Sequence, residues 1–184
     1  MKKIIIVILA LFLVNSAMAQ GKYFTKSGKI TFDATTKESP EKVQAVTKTA
    51  VAVLDAASGN IQFSVLMRGF QFEHALMEEH FHENYVESTK YPKATFKGQL
   101  EGVSALAKDG TYELPVKGQL SLHGASRDIQ TKVKVVVSGT NMNATATFMA
   151  PLADYNIAIP GLVADKLAKT ASVKVECLLQ PLKN

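Results

Sequence analysis

Apolar and polar side chains alternate one for one along most of this chain. Between Thr111 and Leu122, Tyr112, Leu114, Val116, Leu120 and Leu122 fall on one face, while Thr111, Glu113, Lys117, Gln119 and Ser121 fall on the other. Successive strand residues point to opposite sides of a sheet, so this pattern predicts an antiparallel strand with one buried face and one wet face. The same rhythm runs through Ile61, Phe63, Val65 and Met67, through Phe96, Gly98 and Leu100, and through Val133, Val135 and Val137. It returns in Ala144, Ala146 and Phe148 and in Val173, Val175, Cys177 and Leu179. Adding Phe24 to Phe32 and Val46 to Leu54 makes eight strand candidates. Turn signals at Ser58-Gly59-Asn60, Lys108-Asp109-Gly110, His123-Gly124 and Ser138-Gly139 separate neighbours, which predicts a meander. Such a meander avoids exposed edges by closing into a barrel, although periodicity also admits a two-sheet sandwich.

Two segments break the rhythm. Phe70 to Tyr85 reads as partly helical. Leu152 to Lys169 holds an Ile159-Pro160-Gly161 loop and then a short helical stretch over Leu162 to Ala168. The fold class expected is therefore all-β: a single eight-stranded antiparallel barrel with one or two short helices outside the wall. No repeat or linker divides residues 20–184, so one domain is expected.

The first nineteen residues follow a different logic. Lys2 and Lys3 precede an apolar run of 11 residues, Ile4 to Val14, followed by Ala17-Met18-Ala19. That is the charged, apolar and small-residue layout of a cleaved export signal, and the run is short of the roughly 20 residues a spanning helix needs. Residues 1–19 are expected to be removed, leaving a periplasmic or secreted chain that starts at Gln20 and has no transmembrane anchor. The whole sequence has 21 Lys and Arg against 16 Asp and Glu, a formal charge of +5. Without Lys2 and Lys3 the balance is 19 against 16, or +3, too small and scattered to imply nucleic acid. The one cysteine, Cys177, excludes an intramolecular disulfide and falls on an inward strand face, where it reads as an inert thiol. A homodimer is compatible with the sequence.

The middle of the chain carries a resemblance. Tyr91, Pro92, Ala94 and Phe96, preceded by Phe81 and Tyr85, and then Leu120, His123 and Gly124, resemble the "Tyr-Pro-x-Ala-x-Phe" and "Leu-x-x-His-Gly" elements of the YceI-like family, in the family's order. The similarity covers roughly Phe63 to Val137. It implies a closed lipocalin-like barrel, and an amphiphilic lipid of polyisoprenoid or similar type held inside it.

Several clusters invite chemistry. His80 and His82, beside Glu78, Glu79 and Glu83, are the densest set of metal-ligand types. On a helix, however, positions two apart splay by about 200 degrees, so no joint metal site is expected. His123 and Arg127 flank the His-Gly turn. They either meet a polar or anionic head group at the barrel mouth, with Arg127 giving paired hydrogen bonds, or serve the turn alone, with Gly124 supplying a positive φ. Tyr85, Tyr91 and Phe96 read as packing anchors. Ser126 lacks a nucleophile motif, and Asn143-Ala144-Thr145 matches a glycosylation sequon. No catalytic residue, metal or cofactor is expected.

An eight-stranded barrel either fills its interior or holds one small ligand. Small inward residues, namely Ala50, Ala52, Gly118, Ala144 and Ala146, stand beside large ones, and the mixture alone admits both outcomes. With the resemblance, the expected function is non-enzymatic binding and transport of a polyisoprenoid or fatty-acyl lipid. The alternatives are a filled structural or adhesion module, or a His-based metal-dependent enzyme. By strand parity the ligand-lining residues are Phe63, Val65, Met67, Phe96, Leu114, Val116, Leu120 and Phe148, with Met77 and Phe81 at the mouth and His123 and Arg127 near it.

Overall fold

A computed structural model describes residues 21–182; the export signal expected over residues 1–19 lies outside the described residues. The alternating segments form the strands β1 (Lys22–Asp33), β2 (Gln44–Asp55), β3 (Asn60–Leu66), β4 (Gln71–Phe72), β5 (Lys93–Leu100), β6 (Gly110–Leu122), β7 (Ala125–Ser138), β8 (Asn141–Pro151) and β9 (Thr170–Pro181). Each long strand pairs antiparallel with its neighbour in sequence. β1 meets both β2 and β9, so the sheet closes into a barrel.

The ninth strand is the two-residue β4, which sequence periodicity does not reveal. β3 pairs with β2 only along Val51–Leu54, and beyond Leu66 the chain returns through a 3-10 turn, Met67–Gly69. β4 then pairs with Ala45 and Val46, covering the upper part of β2 that β3 leaves bare.

At the lower end, the 3-10 turn Val103–Ala107 carries Leu106, which is 3% exposed, into a cluster with Leu54, Leu100 and Leu179. At the upper end, α1 (Ala75–His80) continues into a wider π turn, Phe81–Tyr85, that drives the Phe81 ring inward. Phe81 packs on Phe32, Phe70 and Phe72 with ring centroids 5.7, 5.8 and 5.0 Å away. The Phe72 amide donates to Glu78 Oε2 at 3.0 Å and ties the helix to β4. The helix expected over Leu162 to Ala168 is instead a single 3-10 turn, Gly161–Val163, followed by irregular turns. Its neighbours are held by hydroxyls of the β1–β2 loop: Thr36 Oγ1 donates to the Asp165 carbonyl at 2.8 Å and Ser39 Oγ to the Lys166 carbonyl at 2.7 Å.

Candidate functional site

The inward faces of the strands enclose a cavity of about 430 Å³ that opens at the upper end, within the usual range for small-molecule sites. Its rim is formed by the β1–β2 loop, α1 and the 161–168 segment, which contribute Glu41, His74, Leu76, Met77, His80 and Lys166. Across the rim, His74 Nε2 lies 2.8 Å from Glu41 Oε2. Deeper in, the hydroxyl-bearing residues on the wall are Tyr85, Thr95 and Thr131, and the rest is essentially hydrocarbon down to Leu100 and Leu179. Burial raises the Tyr85 phenol above its ordinary range and pushes the Cys177 thiol up to about 12. Both are therefore neutral, and the chamber below the rim offers a solvent for an apolar chain rather than for an ion.

Parity along the strands places Phe63, Val65, Met67, Phe96, Val116, Leu120 and Phe148 on the cavity wall, with Met77 at the rim. Phe81 lies further in than a mouth position, only 7% exposed. Three expected site residues are elsewhere. Leu114 points inward, but below the chamber: it packs in the lower cluster beside Gly102, where an added Cβ would sit 3.4 Å from its Cδ2. Arg127 is exposed on the outer surface, and its Nη1 donates to the Ser126 carbonyl at 2.9 Å. His123 is 7% exposed and fully engaged, with Nδ1 2.9 Å from the Tyr155 carbonyl and Nε2 2.7 Å from Glu87 Oε2.

The His123 arrangement explains the motifs that stand out in the sequence. His123 and Gly124, at φ 49° and 74°, form the two-residue turn between the paired residues Leu122 and Ala125, the primed geometry that matches strand twist. The Tyr91 ring packs edge-on to His123 with centroids 4.5 Å apart, and it leaves no room at Gly124, where a Cβ would lie 2.7 Å from Tyr91 Cε1. Pro92 accepts from the Met67 amide at 2.9 Å; Ala94 pairs with Val65 and Phe96 with Phe63. Glu87, itself at φ 44°, spends left-handed backbone strain to present its carboxylate. Together these residues clasp the β6–β7 tip, the crossover before β5 and the 3-10 turn Leu152–Tyr155.

The small inward residues divide in the same way. Ala144 and Ala146 line the chamber. Gly118 does not leave space: it pairs with Gly98, and the Phe96 ring fills the gap, with Phe96 Cζ 2.8 Å from where a Gly118 Cβ would stand. Ala50 faces Gly28 across the β1–β2 ladder, where a Cβ on Gly28 would meet Cys177 Sγ at 2.9 Å.

Wall residues that parity could have supplied include Ile30, Phe32, Leu122, Val133, Val173 and Val175. Phe70, just before the short β4, and Phe72, within it, carried no periodic signal. His80 stands at the rim, whereas His82 Nε2 is 3.2 Å from the Phe70 carbonyl. Among the described residues no group of three or more His, Cys, Asp or Glu is placed to hold a metal ion.

Comparison with known proteins agrees with this architecture. The family model for the YceI-like domain matches residues 12–178. The chain belongs to the YceI-like family. The structure is similar to a polyisoprenoid binding domain from Saccharophagus degradans implicated in plant cell wall breakdown, at 15% identity over 88% of this chain and 99% of that one, with a TM-score of 0.76. It is also similar to BcnA of Burkholderia cenocepacia, at 16% identity over 83% and 95% of the two chains and a TM-score of 0.67. A YceI protein of Campylobacter jejuni shares the fold at 15% identity, 80% and 90% coverage and a TM-score of 0.63. Among curated proteins, none matches the sequence.

Proposed function

We propose that this YceI-like protein binds and carries, without chemistry, one long apolar or amphiphilic lipid of polyisoprenoid or fatty-acyl type outside the cytoplasm. The observation that carries the reading is the chamber itself: about 430 Å³, closed below, walled by hydrocarbon apart from three hydroxyl-bearing residues, and charged only at its rim. A lipid tail lies along the wall with its polar end among Glu41, His74, His80 and Lys166. Burying about ten methylenes at roughly 0.8 kcal/mol each gains about 8 kcal/mol, equivalent to a Kd near 1 µM. The polyisoprenoid-binding relative of the same fold supports a tail of that class. Ser126, two residues beyond the His-Gly turn, is hydrogen-bonded to Ser121 Oγ at 2.7 Å on the hairpin and does not line the chamber.

Titration with the fluorescent fatty acid cis-parinaric acid tests the reading. Saturable binding at one site per chain, displaced by geranylgeraniol, is expected; a folded protein that binds neither overturns it. Placement outside the cytoplasm rests on Lys2, Lys3, the Ile4–Val14 run and Ala17-Met18-Ala19. Exported protein should begin at Gln20, and a Met1 start retained in the membrane fraction would contradict it.

A further inference from the structure

The barrel wall is not sealed all the way up. The β7–β8 ladder runs from Ser138 and Asn141 only as far as Val133 and Ala146, yet both strands continue. Ala125 to Lys132 pairs with β6 alone, and Thr147 to Pro151 with β9 alone. Closure is what removes edges from a barrel, and here two edges face each other across a seam. One side-chain hydrogen bond spans it, from Thr131 Oγ1 to the Thr147 carbonyl at 2.8 Å. Outside the seam lies a groove bordered by Arg127, Gln130, Met149 and Asp154. Ile129, Thr131 and Phe148 line both this groove and the interior chamber, so these three side chains lie between the two spaces.

From this arrangement, and resting on the lipid-carrier reading above, we propose that the seam between β7 and β8 is a lateral portal. Through it the apolar chain of the ligand enters and leaves the barrel, with Phe148 and Ile129 as the gate. Sliding aside two apolar side chains and one hydroxyl contact there breaks no backbone ladder. The upper rim is the cavity's other opening, and a chain leaving by it runs alongside Phe81 and its three aromatic neighbours. At the base of the groove Ile129 and Phe148 offer a passing hydrocarbon two apolar side chains beside the Thr131 hydroxyl. Its edges are guarded against pairing with another chain by Asp128 and Lys132 on β7 and by Pro151, which has no amide hydrogen, on β8. Those guards favour a passage for lipid over a docking strip for a peptide strand. At the top of the seam, Tyr155 is fixed through its carbonyl to His123, so the opening is bounded above by the clasp and below by the Val133–Ala146 rung.

A cysteine pair, Gln130→Cys with Met149→Cys, places one thiol on each exposed lip, where the ladder would continue if it were zipped. Oxidation, or bridging by a short bismaleimide, closes the seam; reduction of the disulfide reopens it in the same sample. Stopped-flow uptake and release of cis-parinaric acid should both slow by at least about tenfold on closure and recover on reduction, while the equilibrium constant changes by less than about threefold. Independently of any ligand, the amides of Thr147 to Ala150 in the wild-type protein should exchange with deuterium faster than those of Asn141 to Ala146. Equal rates in the closed and open forms of a protein that still binds the probe would overturn the portal and leave the carrier reading standing. Equal protection along the whole of β8 would overturn it too. A wild type that takes up no probe overturns the carrier reading and the portal with it.

Discussion

Ala146 is the position at which an empty chamber and a packed core give opposite results. It faces inward on β8, between Val133 and Val175 on the adjoining strands and in line with Ala144 and Phe148. In Ala146→Trp the indole projects into the chamber of about 430 Å³ and meets open space rather than close-packed neighbours. The folded state then changes little, within about 1 kcal/mol, because no atoms must be displaced and apolar surface is buried in place of water contact. The ligand loses that space instead. An indole that displaces about four methylenes, at roughly 0.8 kcal/mol each, weakens binding by about 3 kcal/mol, or more than about a hundredfold. In a filled core the same change overpacks at a cost of about 1–3 kcal/mol, a fall in Tm of about 2–12 °C for a chain of this size. The assay is a cis-parinaric acid titration and a thermal melt on one preparation of each protein. A large fall in Tm with unaltered probe affinity would refute the assignment of Ala146 to the wall of a ligand chamber.

Removing the imidazole in His123→Ala leaves the buried Tyr155 carbonyl and the Glu87 carboxylate without their partner, at a cost of about 1–3 kcal/mol; a thermal melt showing no loss would deny the clasp its structural role. Gly118→Ala forces a Cβ to within 2.3 Å of the Lys97 carbonyl oxygen and 2.4 Å of Gly98 Cα, so its denaturant midpoint should fall well below that of Gly139→Ala, where no atom lies within 4 Å of the added carbon and only positive-φ strain of about 1 kcal/mol applies. Burial holds the Cys177 thiol protonated, its value raised from 9.0 to about 12, so native protein should be inert to Ellman's reagent at about pH 8 and react only on unfolding. By the same shift the folded state binds that proton more tightly than the unfolded one. This contribution to stability is intact below about pH 9 and is lost as the pH rises towards 12, which denaturant titrations of the wild type and Cys177→Ala across that range would compare.

The strands were legible because each buries one face, and a period of two is visible in residues such as Tyr112 to Leu122 without knowledge of any partner. Depth was not legible. Leu114 and Val116 share a parity, yet only Val116 reaches the chamber, because the lower turn comes up beneath Leu114. The role of His123 was hidden for a related reason: its partners lie 36 and 32 residues away in sequence, and local spacing carries no trace of contacts at that range. Gly118 looked like vacant volume, but a ring from the neighbouring strand fills it. The seam between β7 and β8 is invisible to pattern altogether, since both strands alternate normally through it and only their divergence in space opens the ladder.

The central claim is that the folded chain encloses one lipid. Native mass spectrometry of protein exported and purified without detergent tests it most directly. The account predicts a second population heavier than the chain by the mass of a single lipid, released as an isoprenoid or fatty-acyl compound when the protein is unfolded. A uniform unliganded mass, unchanged after incubation with geranylgeraniol or cis-parinaric acid, would contradict it.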